Sequence, residues 1–222
     1  MSTTASRRPR IDRRTRAAKD EGRDPREALV EAAAKVFAER GFRAASVDEI
    51  AARAGFSKGA VYWHFDSKED LFFALLEERI DRPVRQAIEG LESAPADVDM
   101  APQADAVFGW LTEEQRDLVL LEYEYWSLAV REPRLRERYA RRQAQLRDAY
   151  ARAIELRLEH RGEPPPDLPA QEIATALIGA LRGMALQKLI DPASVPPHMS
   201  SELHALVYAG VVARARAAAA ED

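Results

Sequence analysis

The chain is predicted to be all-α, with a small N-terminal three-helix domain followed by a larger helical one. Three features of its 222 residues carry that prediction. Apolar residues recur at helical spacing through most of the length, and no segment sustains the period-two alternation of a half-buried strand. The interruptions are rich in proline or closed by glycine, as helix ends are. Between residues 24 and 70 the capping signatures follow one another so closely that one helix has room for only about eight residues, too few to be stable unless it packs on its neighbours.

Residues 1 to 24 carry seven arginines and one lysine and almost no apolar residue beyond Ile11, so they are expected to form a flexible basic arm. Such an arm either solubilises the chain or neutralises phosphates beside a nucleic-acid site, and the sequence leaves both readings open. Order begins at Asp24-Pro25-Arg26-Glu27, where Asp24 can cap free amides and Pro25 suits the first helical position. Leu29, Ala33, Val36 and Phe37 recur at helical spacing, and Gly41 supplies a left-handed stop. Ser46-Val47-Asp48-Glu49 reads as a capping box, Ile50, Ala51 and Ala54 form an inward stripe, and Gly55 ends this short helix. Ser57 caps a third helix whose inward positions are Val61 and Phe65. Ser67, with Asp70 three residues on, caps a fourth, which Pro83 is expected to bend or end. Further on, Ser93 to Pro102 reads as a linker, Pro133 breaks the segment 113 to 160, and HRGEPPPDLP (160 to 169) is a loop. Two apolar helices finish the chain, about Gln171 to Ile190 and about Ser201 to Ala219. The expected domains are therefore 25–75 and 76–222, behind the arm.

Composition narrows the function. An apolar fraction of 46% is enough for a sizeable core. No apolar run approaches the roughly eighteen residues of a membrane span, and no apolar stretch follows the N-terminal arginines, so neither a membrane partner nor a secretory signal is expected and a cytoplasmic location is. The absence of cysteine removes disulfides, thiolate metal sites and a thiol nucleophile together. The four histidines show no i, i+4 pairing, so no metal site is expected. No paired acid and base groups stand out, and no catalytic residue or cofactor is expected. The net charge of −4 is unevenly spread: residues 1 to 75 carry +3 and the remainder −7, as a polyanion-facing domain joined to a separate partner domain would.

The stretch SVDEIAARAGFSKGAVYWHFDSKEDLF (46 to 72) explains the short helix. Two helices joined by a tight glycine-containing turn make a helix-turn-helix, in which Val47, Ile50, Ala51 and Ala54 seat Val61 and Phe65 and leave Lys58, Gly59, Tyr62 and Trp63 outward. Lysine can reach a phosphate or a guanine edge, glycine lets a backbone approach closely, and tyrosine and histidine can donate to phosphate oxygens. Helix N-termini capped by Ser46 and Ser57 offer free amides and a positive dipole end, and Lys68 would extend the same phosphate track. The competing reading is that Tyr62, Trp63 and His64 only pack on an adjacent helix. Three helices in the required order, with so short a connection between the second and third, favour the helix-turn-helix.

At these residues the sequence resembles the TetR family of bacterial transcriptional regulators, through Gly41-Phe42 and the stretch just quoted, over roughly residues 25 to 75. The resemblance implies a three-helix DNA-binding domain, an all-α domain that binds a small-molecule effector, a homodimer, and repression relieved by ligand. It implies that Ser46, Ser57, Tyr62, His64 and Lys68 contact phosphates, while Lys58, Gly59, Ala60 and Trp63 lie at or near base edges. Ala60 departs from the threonine many members carry, so a methyl contact would replace a polar one. A sequence-tolerant architectural DNA-binding protein and an all-α enzyme are the alternatives. The partners expected are double-stranded operator DNA, an effector and a second copy of the chain.

For dimerisation the last two helices offer Leu177, Gly179, Leu181, Gly183 and Met184 on the first, and Leu203, Leu206, Val207 and Val211 on the second; an intramolecular core is the other use for the same stripe. The segment 117 to 132 is apolar around most of its circumference and is expected to be central. It places Leu118, Glu122, Tyr125 and Trp126 as candidate ligand contacts, with Phe72, Leu76, Phe108, Trp110 and Arg182 completing the pocket. A carboxylate there must find a partner or shift its protonation, so Glu122 either receives a cationic or hydroxylated ligand or pairs internally with Arg182. Occupancy is expected to move the fourth helix and so change the separation of the two recognition helices.

Overall fold

The computed structural model describes residues 24–92 and 116–221. The basic arm apart from Asp24, the expected linker, Phe108 and Trp110 lie outside the described residues. The chain divides into two compact units between Glu77 and Glu78.

In the first unit Asp24 accepts the amide of Arg26 at 3.0 Å, Pro25 takes the first helical position, and α1 (Pro25–Ala44) follows. Gly41, with φ 74° and ψ 170°, a conformation open to glycine, breaks the helix as expected into two segments joined at a kink, and the short turn beyond it carries Phe42 into the core. The capping box of Ser46 and Glu49 opens α2 (Val47–Ala54) with both reciprocal bonds present. Gly55 closes it in the left-handed region at φ 76°, and the amide of Phe56 returns to the carbonyl of Ala51 at 2.9 Å. Ser57 then caps α3 (Lys58–His64), and Ser67 caps α4 (Lys68–Leu76) by accepting from Asp70 N. Helix α1 packs against α2 and α4, and α2 against α3.

The core of this unit is aromatic at its centre. Phe72 meets Phe37 and Phe42 edge-on, with centroids 6.4 and 5.3 Å apart, and is fully buried with Leu71 and Leu76. Each such side chain contributes about 1.5–3 kcal/mol by leaving water. Phe72 and Leu76, expected at the effector pocket, are therefore core residues of the first unit.

Lys68 also departs from expectation. Its ammonium donates to the carbonyls of Ala45 at 2.9 Å and Arg43 at 3.2 Å, and lies 4.7 Å from the Phe42 ring centroid. It closes the carbonyl end of α1, where a cation meets the negative end of the dipole. Its place is in the scaffold, and the phosphate contact expected of it would require those bonds to break.

The second unit begins inside a π turn, Glu77–Asp81, which leads into α5 (Arg82–Glu92). Pro83 thus stands just past a π turn, and the expected bend or end of the fourth helix falls between Leu76 and Arg82, immediately ahead of the proline. Helix α6 (Arg116–Arg131) and α7 (Pro133–His160) meet at the predicted proline break, and α8 (Ala170–Ile190) and α9 (Met199–Glu221) follow. The central helix is α7, which packs against α5, α6 and α8. Helix α6 instead leaves Leu120, Trp126 and Val130 exposed. Its position had been expected at the centre because its apolar circumference is wider than the face it buries.

Helix α8 is long and apolar enough to cross a membrane by length and composition, although Glu172, Arg182 and Lys188 interrupt its apolar run. Here one face of it is core: Ala170, Ala174, Leu177 and Leu181 cluster with Val84, Tyr150 and Ala151. Met184, Leu203 and Val207 pack on that cluster, and Val211 closes a second one with Leu158 and Ile173. Six of the nine residues expected at a dimer interface therefore serve the subunit's own core. Gly179, Gly183 and Leu206 lie on the outward face.

The lysine lock gives a first expectation. Replacing Lys68 by Met keeps the stem and removes the ammonium, and is expected to lower the unfolding free energy by about 1–2 kcal/mol in denaturant melts. The salt dependence of DNA binding should then stay close to that of the unmodified chain if Lys68 keeps these carbonyl partners on DNA.

Candidate nucleic-acid interface and effector cavity

Helix α3 has seven residues and cannot persist alone. It is held by Val61, fully buried, and by Phe65 at its C-cap, which pack in the core that holds Ile50 and Ala51. The guanidinium of Arg26 lies over the Phe65 ring at 5.3 Å. With the inner side so fixed, the outer side presents Lys58, Gly59, Tyr62, Trp63 and His64, all exposed, and Ala60 half-exposed. Trp63 is 85% exposed, an unusual position for the side chain that gains most from burial.

Gly59 adds a second sign. A Cβ built there would meet only Ser57 Oγ, at 3.9 Å, and its φ is not positive, so neither packing nor backbone conformation requires glycine. What glycine does leave is a helix surface on which another backbone can lie closely.

The two helix N-termini differ. In α2 the Ser46 hydroxyl accepts from Glu49 N at 3.2 Å and donates to Glu49 Oε2 at 2.9 Å, and that carboxylate also accepts Ser46 N at 3.1 Å. With Asp48 and Glu49 in its first turn, α2 is less suited to a phosphate than its capping signature implied. The hydrogen bonds to Ser46 hold Glu49 below the ordinary carboxylate range. Helix α3 has no acidic residue in its first turn, and Ser57 accepts Ala60 N at 3.3 Å. Lys58 Nζ lies 3.0 Å from Asp48 Oδ2, a hydrogen-bonded pair that raises the lysine's affinity for its proton. Both partners are exposed, so a nucleic-acid phosphate or guanine edge can take the carboxylate's place at little cost.

In the second unit the candidate effector residues form a buried charge network. Glu122 Oε1 accepts from Tyr139 Oη at 2.8 Å, Arg142 Nη1 at 2.9 Å and Arg182 Nη2 at 3.3 Å. Arg142 also grips Asp81 through Nε and Nη2 at 2.8 and 2.7 Å. Burial alone would push the Glu122 carboxyl up, but the two guanidiniums and their hydrogen-bonding neighbour hold it below its ordinary value. Burial likewise pushes Tyr123 up to about 12, and its hydroxyl donates to the Arg182 carbonyl at 2.6 Å. Beside the network lies a small cavity bounded by Ile80, Val84, Leu146, Tyr150, Ile178 and Leu181, with room for about one water molecule.

Of the residues expected at an effector site, Glu122 and Arg182 line this cavity. Tyr125 is fully buried against Tyr139, with centroids 5.8 Å apart, Leu118 is half-buried and Trp126 is 49% exposed; none of the three lines it. Asp81, Tyr139, Arg142 and Gln143 were not anticipated. Tyr139 and Arg142 stand at i, i+3 in RLRERYARRQ, where nothing local separates the buried arginine from its solvated neighbours. Among the described residues no cluster suited to a metal ion occurs.

A helix-turn-helix that turns a glycine, a lysine and two aromatic rings outward, joined to a separate helical unit, defines a DNA-binding regulator. Residues 29–75 match the family model of bacterial regulatory proteins, tetR family, and residues 103–207 match that of the BetI-type transcriptional repressor C-terminal domain. The chain is 30% identical over 186 residues to the HTH-type transcriptional regulator TtgR of Pseudomonas putida, covering 81% of this chain and 87% of that protein. It is likewise 30% identical over 159 residues to the HTH-type transcriptional repressor AcnR of Corynebacterium diphtheriae, covering 71% and 77%. The solved structure of a TetR-family transcriptional regulator from Rhodococcus sp. superposes with a TM-score of 0.66 at 26% identity, covering 85% of this chain and 98% of that one. The chain belongs to the TetR family and is a DNA-binding transcriptional regulator.

Gly59→Ala separates folding from recognition. The variant is expected to be as stable as the parent or up to about 1 kcal/mol more stable. Its affinity for operator DNA, measured by fluorescence anisotropy, should fall at least about tenfold.

Glu122 makes a pH-dependent contribution of definite sign. Its folded-state carboxyl ionises below the ordinary value of 4.5, so the stability it adds is complete above that pH and is lost as pH falls through the folded value. Glu122→Gln is expected to cost about 3–5 kcal/mol at neutral pH, because Arg182 loses its carboxylate and Arg142 keeps only Asp81. Denaturant melts taken from neutral to acid pH should show a steeper loss for the parent than for the variant.

Proposed function

We propose that this regulator is a ligand-responsive repressor, which binds a near-palindromic operator as a homodimer and is released by a small-molecule effector bound in the second unit. The observation that carries the reading is the outer side of Lys58–His64, where an exposed tryptophan and a glycine unneeded by the fold stand next to a cation. In this reading Lys58, Gly59, Ala60 and Trp63 meet base edges, and Ser57, Tyr62 and His64 meet phosphates. One such helix reads too few base pairs for a genomic address, and two related by a two-fold axis read enough.

The outward face of the last two helices supports dimerisation. It carries Gly179, Gly183, Leu186 and Ile190 on α8, and Leu206 and Gly210 on α9, with Ile190 and Leu206 89% and 69% exposed. A Cβ at Gly179, Gly183 or Gly210 would meet nothing within 4 Å, so a second copy's helices can approach closely there. Effector action then follows from differential affinity: a ligand that favours the state with lower operator affinity releases the DNA. A protein acting in this way on chromosomal DNA works in the cytoplasm. The repressor AcnR and the BetI-type repressor model favour repression over activation.

Selection of bound sequences from random DNA tests the reading. The expected product is an inverted repeat with half-site centres about 34 Å apart or a multiple of that spacing. Leu206→Arg should give monomers in sedimentation and weaken operator binding, and high affinity for a single asymmetric half-site by a monomer would refute the dimeric mode.

A further inference from the structure

Of the cationic or hydroxylated ligand and the internal Arg182 pair expected at Glu122, the pair with Arg182 is present, and the network around it disfavours a cation. Glu122 Oε1 already receives two guanidiniums and a tyrosine hydroxyl. Asp81 is taken up by the Arg142 fork. An ammonium brought to Glu122 would therefore stand beside two positive charges that already compensate it.

All three bonds to Glu122 fall on Oε1, and the donors with bonding capacity to spare belong to Arg182 and Gln143. Arg182 uses only Nη2, shared between Glu122 at 3.3 Å and Gln143 Oε1 at 2.5 Å; among the described residues Nε and Nη1 have no partner. Gln143 Nε2 is buried without a partner among the described residues. The contact from Arg182 to the amide oxygen fixes which end of that amide is the nitrogen, since a guanidinium cannot donate to an NH2 group. Side-chain exposure is 26% for Arg182 against 6% for Arg142, 10% for Glu122 and 15% for Asp81, so Arg182 is the member best placed to turn toward a newcomer. It lines the cavity together with Glu122, Arg142 and the side chains of Ile80, Val84, Leu146, Tyr150, Ile178 and Leu181.

We propose that this cavity takes an amphipathic anion, an apolar chain or ring bearing a carboxylate, whose head is held by the unused N–H groups of Arg182 and whose body lies among the six apolar side chains. The head would supply the acceptors that Arg182 lacks, in a surrounding where a charge-assisted bond is strong. The body must widen a space that now holds about one water, and the outward swing of Arg182 opens it. The inference rests on the reading that the second unit binds an effector.

The test uses the full chain and three probes that share an alkyl body: octanoate, octylamine and octanol. Thermal shift reads binding, and anisotropy of the selected operator reads release. Octanoate is expected to raise the melting temperature and to release operator at concentrations at least about tenfold below those of octylamine. Arg182→Gln should raise the half-saturating octanoate concentration at least about tenfold while leaving ligand-free operator affinity within about twofold, and Arg182→Lys should fall between. If Arg182→Gln does not fold, the head-group series on the unmodified chain still decides. Octylamine acting as well as octanoate, no response to any probe, or an octanoate response untouched in Arg182→Gln would each overturn the anion site. Release by octylamine would do so while leaving an effector-controlled repressor standing. Arg182-dependent binding of octanoate without release would keep the anion site and remove its role as effector site.

Discussion

A helix of seven residues has to be propped by its neighbours, and the first unit is organised around that constraint. Val61 and Phe65 fill the inner side, the left-handed glycine at 55 sets the angle of entry, and serine caps satisfy the first amides of α2, α3 and α4. Once the inner side is committed to packing, the outer side is left without any structural duty. Glycine and tryptophan can then stand side by side on a surface where folding requires neither.

The ionic groups divide in the same way between scaffold and surface. Lys68 spends its charge on the carbonyl end of α1, and Ser46 and Glu49 spend theirs on each other. Lys58 is left in an exposed pair that DNA can exchange at small cost. In the second unit the burial of Glu122 is tolerable only because two guanidiniums and a tyrosine hydroxyl converge on it, and Arg142 extends the same compensation to Asp81 in the π turn. Arg182, the outermost of the four charges, remains the adjustable one.

Most of the fold was legible because its signals are local. Capping boxes, the glycine at 55 and the proline breaks mark where backbone groups run out of helical partners, and each left its residue type in the chain. The exposed side of α3 was legible for a related reason, since Gly59, Tyr62 and Trp63 make poor sense as core. Lys68 was not, because the carbonyls it closes belong to residues 43 and 45, more than twenty positions earlier. The stripe on α8 and α9 divides between two faces. Leu177, Leu181 and Val211 face their own subunit, and the outward face is built of glycine, alanine and scattered leucine and isoleucine, which a search for large apolar residues passes over.

The amino-acid sequence by itself determined where helices start and stop, which three of them form the DNA-reading unit and which side of the third is spare, because caps, turns and helical periodicity act over a few residues. Only the tertiary structure decided which charges are free. Whether Lys68, Glu122 or Arg182 is engaged depends on groups that the chain brings in from 20 to 60 residues away, and a buried carboxylate stays charged because two guanidiniums arrive beside it.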